Sequence, residues 1–235
     1  MNKLPSTISH IRRRPAMYIG NVQINGLKRM IGYLLEEIHV DVFQQTEITI
    51  ELKMNDHIGI HIKNANVDKF TDVDADDGVQ MNHFYFGLNC ILALSEQVNV
   101  QIQNANSTIA IEGKNGTIEC ETIQVNKREN SIAIDFKIDA DIFDTFTIDY
   151  EIINQYIRKY ALLNPKFFIM SVDTRTHNDQ KMVFNYPGGL SHELTFQLAQ
   201  QFATSSTRMD LRTSIGAYDY QIGFSYQENS TELVI

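Results

Sequence analysis

Residues 10–20 read HIRRRPAMYIG, three consecutive arginines followed by an apolar stretch that ends in glycine. Taken alone, the arginines suggest a basic handle for nucleic acid. The rest of the chain argues against that role, because 20 Lys+Arg against 29 Asp+Glu give a formal net charge of −9. Phosphate backbones are usually bound by an excess of clustered cations. The sequence therefore predicts no direct nucleic-acid partner, although it leaves room for a local basic patch.

The composition of the 235-residue chain is that of a globular protein, with 43% hydrophobic and 21% charged residues and only 4 prolines. The first residues lack the apolar run of a signal peptide, and no window reaches the roughly 18 apolar residues that span a bilayer. We therefore expect a cytoplasmic protein with no membrane partner. Cys90 and Cys120 form no C-x-x-C pair, so both are expected to be reduced core residues.

Hydrophobic periodicity predicts helices and strands in mixed order. Apolar residues at helical spacing predict helices over 26–43, 84–97 and 149–163, and a further helix opens at 187–189 and runs to about residue 201. Alternating apolar residues predict a hairpin over 46–65 around a turn at 54–57, and strands near 98–104, 107–113, 117–124, 131–138, 166–174 and 180–187. Short turns join most of the strands, which indicates a mainly antiparallel sheet.

Helices on one face of a mainly antiparallel sheet predict an α+β fold, a two-layer sandwich. We assign residues 1–202 to this domain. The polar segment 203–214 is interpreted as a linker, and the alternating residues 218–227 as the first strand of a second, truncated domain. The predicted domains are therefore 1–202 and 203–235.

The opening motif resembles a known family. IRRRPAMYIG, followed by GLKRMIGYLLEEI at 26–38, closely resembles the start of the GHKL-type ATPase domain of bacterial type II topoisomerase B subunits, the gyrase B and ParE type. The resemblance in order and spacing covers roughly residues 8–200. It implies a fold that holds ATP between the helical layer and the sheet, followed by a transducer-like domain.

The resemblance also implies catalytic and metal positions on the first long helix. The family places a glutamate there as general base, and an asparagine one helical turn later that holds Mg²⁺. These positions are Tyr33 and Glu37 in this sequence. Since a phenol with a pKa near 10 is a poor base at neutral pH, we expect no catalytic residue and no metal here.

Two further parts of the family's nucleotide site are altered. The aspartate that binds adenine falls on Ile62, which continues the inward alternation of its strand. The glycine-rich helix start that cradles phosphate keeps only Gly87, after the aromatic residues 84–86. The lid segment between them is also shorter than the family's. With three losses on one scaffold, the resemblance implies a degenerate ATPase fold.

Residual contacts of a vestigial nucleotide pocket are expected from six residues. Gly87 is the one that matches the family's chemistry, and Ser131 stands where the family places a threonine near adenine. The six residues are Leu34, Val67, Gly87, Leu88, Ile102 and Ser131.

Other polar residues carry weaker hypotheses. Glu36 and Glu37 are expected to be solvated carboxylates, with a pairing of Glu37 and Lys63 across the former pocket as the sharper alternative. The aspartates of 72–77 do not match a calcium loop, because its sixth and twelfth positions fall on Asp77 and His83. The seven histidines show no metal-binding spacing.

The preferred function is therefore a non-catalytic binding or regulatory module with a protein partner and no cofactor. The alternative is an ATP-binding subunit of a DNA topoisomerase system, in which ATP and Mg²⁺ occupy an unconventional site, so enzymatic activity is left open. A second alternative is an acidic decoy that binds a DNA-binding protein. We expect a monomer or a weak homodimer.

Overall fold

The computed structural model describes residues 6–40, 45–67, 86–104, 107–125, 129–191, 193, 207–215, 218–227 and 230–234. Its helices are α1 Ser6–Arg13, α2 Pro15–Ile19, α3 Ile24–Glu37, α4 Phe86–Leu94 and α5 Tyr150–Leu163. Its strands are β1 His39–Val40, β2 Thr46–Lys53, β3 His57–Lys63, β4 Ala65–Asn66, β5 Ser95–Gln103, β6 Ser107–Lys114, β7 Thr117–Val125, β8 Ser131–Ile138, β9 Phe167–Asp173, β10 Gln180–Asn185, β11 Thr207–Ile215, β12 Tyr218–Gln227 and β13 Ser230–Val234.

An eight-stranded sheet forms the centre of the fold, in the order β10-β9-β2-β3-β8-β5-β6-β7. Every neighbouring pair is antiparallel except β2 and β9, which run parallel. Alternate residues of these strands, such as Ile60 and Ile134, are buried in one core with Leu27 and Ile91 from the helices. The predicted α+β sandwich is thereby confirmed, together with the strands that alternation predicted.

The opening motif forms two short helices that periodicity did not predict. α1 buries Ile8 and Ile11. Pro15 occupies the first turn of α2, where its missing N–H costs nothing, and Gly20 ends the helix at a φ of 81°. Arg12 leaves α1 toward the core, donates to the Ala93 carbonyl at 2.9 Å and pairs with Asp139.

Arg12 is the arginine of the opening motif that braces the scaffold. The side chains of Arg13 and Arg14 are exposed, and neither makes an ion pair with any residue that the structure describes. Adjacent residues of a helix point in different directions, so Arg13 does not reach the partners of Arg12, and Arg14 lies beyond the end of α1.

Helix α3 ends at Glu37, earlier than the predicted limit of 43. Ile38 leaves the helix in an extended conformation, and β1 pairs antiparallel with β4. Residues 41–44 lie outside the described part of the chain. Helix α4 likewise ends before the predicted limit of 97, because Ser95 begins β5 and donates its hydroxyl to the Ile91 carbonyl at 2.6 Å.

The last described strands form a three-stranded sheet in the order β11-β12-β13. The prediction of a linker is therefore wrong for 207–214, because these residues pair along β12 from Thr207 to Ile215. Met209, Leu211 and Ile215 do alternate along this strand, but the polar residues around them led to the interpretation as a linker. The boundary at 202 stays a prediction. Of the predicted helix after 187, residues 189–191 and 193 are helical, and the remainder lies outside the described residues.

Cys90 is buried and free, as predicted. No helix in the described ranges has both the length and the apolar character needed to cross a membrane.

Candidate functional site

Glu37 is the polar centre of the candidate site. It ends α3, and its Oε1 accepts a hydrogen bond from the Gly87 backbone N–H at 2.8 Å, at the start of α4. The first N–H groups of a helix have no partner within the helix and carry partial positive charge. A carboxylate of the chain itself therefore occupies the place at this helix end where an anion is favoured. Its second oxygen, Oε2, is buried and has no hydrogen-bond partner among the described residues.

Burial raises the pKa of Glu37 from its ordinary value of 4.5 to about 7. The backbone N–H groups of Gly87, Phe86 and Leu88 oppose this rise, and the neighbouring charge of Glu36 adds to it. The prediction of a solvated carboxylate is therefore wrong for Glu37. It is confirmed for Glu36, which is exposed and accepts a hydrogen bond from the Tyr160 hydroxyl at 3.0 Å.

We predict that Glu37 makes the protein less stable as the pH rises. A carboxyl group whose pKa is higher in the folded state binds its proton more tightly there. Its stabilising effect is complete below pH 4.5 and is lost as the pH rises through about 7. The free energy of unfolding of the wild type, measured relative to Glu37→Gln, should therefore fall by about 2–3 kcal/mol between pH 4.5 and about pH 7. This figure includes a reduction for solvent, which screens part of the site.

Urea unfolding of both proteins at several pH values checks this prediction. The difference between the two proteins removes the titration of groups such as Asp173, whose pKa is lowered by Arg175 and which acts in the opposite direction. Parallel pH profiles for the two proteins would contradict a desolvated Glu37 carboxylate.

Gly87 allows α3 and α4 to approach closely. A Cβ at this position would lie 2.4 Å from the Leu34 nitrogen and 2.7 Å from the Tyr33 carbonyl carbon, both backbone atoms. Only glycine fits such a contact. The start of α4 therefore packs directly on the backbone of α3, and it also donates a hydrogen bond to Glu37, the last residue of α3.

Aromatic side chains lie beside this contact. The Tyr33 ring meets the Phe86 ring edge-on with centroids 4.9 Å apart, and the Tyr18 ring lies 5.9 Å from Phe86. The Tyr33 hydroxyl donates to the Tyr18 carbonyl at 3.2 Å. Tyr33 thus acts as a packing residue whose hydroxyl is already engaged.

Comparison with known proteins finds relatives among bacterial DNA gyrase and type 2 topoisomerase B subunits. No protein-family model matches the chain. It is 24% identical over 205 residues to the DNA gyrase B subunit of Borrelia hermsii, covering 77% of this chain and 32% of that protein. It is 24% identical over 216 residues to the type 2 topoisomerase B subunit of Aquifex aeolicus, covering 80% and 26% respectively.

Among solved structures, the 43K ATPase domain of Thermus thermophilus gyrase B, crystallised with an aminocoumarin, superposes with a TM-score of 0.74 at 22% identity. The match covers 92% of this chain and 62% of that one. The chain has the gyrase B ATPase fold. It spans a quarter to a third of the length of the curated relatives named above.

In this gyrase B-like chain, four of the six predicted pocket residues are buried core residues. They are at most 2% exposed and belong to the continuous core that also holds Ile62, and Gly87 packs on α3. These four are Leu34, Val67, Leu88 and Ile102. The interpretation of Ile62 as a core residue is confirmed by its complete burial.

Ser131 is not one of these core residues. It alternates with buried Ile132 along β8, so it faces away from the core, and its hydroxyl donates to Gln103 Oε1 at 3.3 Å. Whether any nucleotide contacts the six residues stays a prediction.

The hypothesis that Glu37 pairs with Lys63 is wrong. Glu37 makes no ion pair within the described ranges, and its head group is bonded to α4 instead. Lys63 follows buried Ile62 on β3 and is exposed on the opposite face of the sheet, next to Ser131 of β8. Strand alternation therefore directs the two charges to different sides.

Metal ligands are also absent from the part of the chain that the structure describes, where no three His, Cys, Asp or Glu side chains cluster. The aspartates of 72–77 lie outside it.

The contact between Glu37 and Gly87 is not predicted from the sequence. Both residues stand at positions of the family's nucleotide site. The negative charge of a glutamate and the partial positive charge of a helix N-terminus are the signal that could have indicated their contact.

Proposed function

We propose that this chain is a gyrase B-like ATPase-fold protein with a degenerate nucleotide site, which acts as a non-catalytic binding or regulatory module. The observation that carries the proposal is the Glu37 carboxylate bonded to the first turn of α4. We also propose that its partner is a protein, that it needs no cofactor, and that it works in the cytoplasm as a monomer or weak homodimer.

The residues present do not fit Mg-ATP. A phosphate at the start of α4 would have to displace a carboxylate of the same charge sign, and the backbone of α3 already closes that helix end at Gly87. Ile62, in the adenine position, has no side-chain hydrogen-bonding group and is fully buried. Tyr33 stands in the position of the family's glutamate base, and its hydroxyl donates to a backbone carbonyl. Each part therefore supports a site that takes no nucleotide.

Calorimetric titration with Mg-ATP and with a non-hydrolysable analogue tests the proposal. We expect no binding heat at millimolar nucleotide, with a gyrase B ATPase domain titrated under the same conditions as the positive control. The variant Glu37→Gln removes the competing charge without restoring the adenine or base residues, and it should also stay silent. Micromolar binding by the wild type would refute the proposal.

A second candidate is an ATP-binding subunit of a DNA topoisomerase system. Its support is the sequence relation to DNA gyrase B subunits, which extends over 77% to 96% of this chain. The same titration favours this candidate if nucleotide binds. The acidic decoy has only the net charge of −9 in its favour.

A further inference from the structure

The outer corner of α1 and α2 carries an unusual group of exposed side chains. Met17 is 69% exposed, more than any other large hydrophobic residue whose side chain the structure describes. Arg14 is the N-cap of α2, its carbonyl accepts a hydrogen bond from the Met17 backbone N–H at 3.1 Å, and Arg13 precedes it in the chain. At the other end of this short helix, the Arg29 Nη1 lies 3.0 Å from where a Cβ on Gly20 would stand. We call Arg13, Arg14, Met17 and Arg29 the arginine patch.

The arginines of this patch differ from the other arginines whose side chains are described. Arg12, Arg158 and Arg175 each pair with a carboxylate. Arg13, Arg14 and Arg29 are exposed and make no ion pair with any described residue. A chain with 29 acidic residues thus leaves three neighbouring cations unneutralised within the described structure.

We propose that the arginine patch docks an acidic segment of a protein partner that also places an apolar side chain on Met17. The three guanidinium groups complement carboxylates, to which arginine bonds in a bidentate fashion. Arginine and methionine are both enriched at protein interfaces, with an apolar centre inside a polar rim. Met17 supplies such a centre, on a helix that has Arg14 at its N-cap and the Arg29 guanidinium beside Gly20 at its C-cap.

A nucleic acid fits the patch less well than a protein. Three arginines offer few phosphate contacts, and the net charge of −9 repels a long polyanion beyond the patch itself. An exposed methionine gains nothing from a phosphate backbone. A short acidic segment with one apolar residue uses both features and avoids most of the repulsion.

This inference rests on the proposed function of a binding module and adds its surface and the chemistry of its partner. The proposed function and the arginine-patch inference can each be refuted without refuting the other. Nucleotide binding in the titration would refute the proposed function and leave the patch standing, whereas failure of the peptide test below would refute the patch and leave the degenerate site standing.

Fluorescence anisotropy with a labelled twelve-residue peptide of glutamates and serines around two central leucines tests the inference. We expect binding by the full chain that weakens as salt is raised. The double variant Arg14→Glu/Arg29→Glu should lose at least about tenfold in affinity, and Met17→Ala several-fold. Lys159→Glu, an exposed charge reversal on α5, is the control and should change affinity less than about twofold.

Three results would overturn the inference. The first is no binding of the acidic peptide at millimolar concentration. The second is a loss of binding free energy in Lys159→Glu at least half as large as that in the double variant, whose change in net charge is twice as large; net charge alone would then explain the binding. The third is tighter binding of a twelve-base-pair DNA duplex than of the peptide, which would assign the patch to nucleic acid. Circular dichroism of each variant shows that it is folded.

Discussion

Replacing Gly87 with alanine is expected to lower the free energy of unfolding by about 2–3 kcal/mol. The added methyl group would lie 2.4 Å from the Leu34 nitrogen and 2.7 Å from the Tyr33 carbonyl carbon. These are backbone atoms of a helix, so no side-chain rotation relieves the overlap and α4 must move away from α3. In an unpacked helix the same change would stabilise by about 1 kcal/mol, so the sign of the result is itself diagnostic.

Urea unfolding measures this effect, with Gly59→Ala as a matched control. A Cβ on Gly59 meets the Lys53 side-chain end at 3.0 Å, which is flexible and can shift. We therefore expect that control to change stability by less than about 1 kcal/mol. Equal stability of Gly87→Ala and the wild type would show that α3 and α4 are not in backbone contact, and would remove a main support of the degenerate site.

Replacing Arg12 with alanine is expected to cost about 3 kcal/mol. Its guanidinium joins α1 to the Ala93 carbonyl at the end of α4 and to Asp139 after β8. The Asp139 side chain is only 4% exposed. Its carboxylate would keep the Asp141 backbone N–H but lose its counter-charge, and removing one partner of a buried pair is strongly destabilising.

The adjacent arginine is the natural control. Arg13→Ala removes an exposed side chain with no ion pair in the described structure, so it should change stability by less than about 0.5 kcal/mol. Arg12→Lys should restore stability only in part, because a single ammonium group does not reproduce the fork that reaches both acceptors. Similar losses for Arg12→Ala and Arg13→Ala in thermal unfolding would contradict the bracing role of Arg12.

Local sequence patterns predicted the strands and helices whose buried residues recur at a regular spacing along the chain. Ile58, Ile60 and Ile62 alternate on one face of β3, and α5 has both its stripe and the Asp149 N-cap, which accepts from Ile152 at 3.0 Å. The arginine motif indicated the fold through its resemblance to the gyrase B and ParE type. In β11, the alternating Met209, Leu211 and Ile215 stand among polar residues, and the segment was interpreted as a linker.

Contacts between distant residues decided the candidate site. In the sequence, Tyr33, Glu37, Ile62 and Gly87 stand at positions of the family's nucleotide site. The sequence predicted that the family's residue types are lost at the first three and kept at Gly87. It did not predict that Glu37 turns onto the Gly87 N–H, 50 residues away. A helix end and a carboxylate attract only once folding has brought them together.

The sequence by itself therefore determined the α+β scaffold and the core role of Ile62, because these follow from residue type and local period, and it predicts the loss of a base at Tyr33. Only the tertiary structure decided that Arg12 is held by partners 81 and 127 residues away while Arg13 and Arg14 stay exposed. It also decided that Glu37 is desolvated with a pKa of about 7. Burial and electrostatic environment depend on which surfaces meet, and that information belongs to the whole fold.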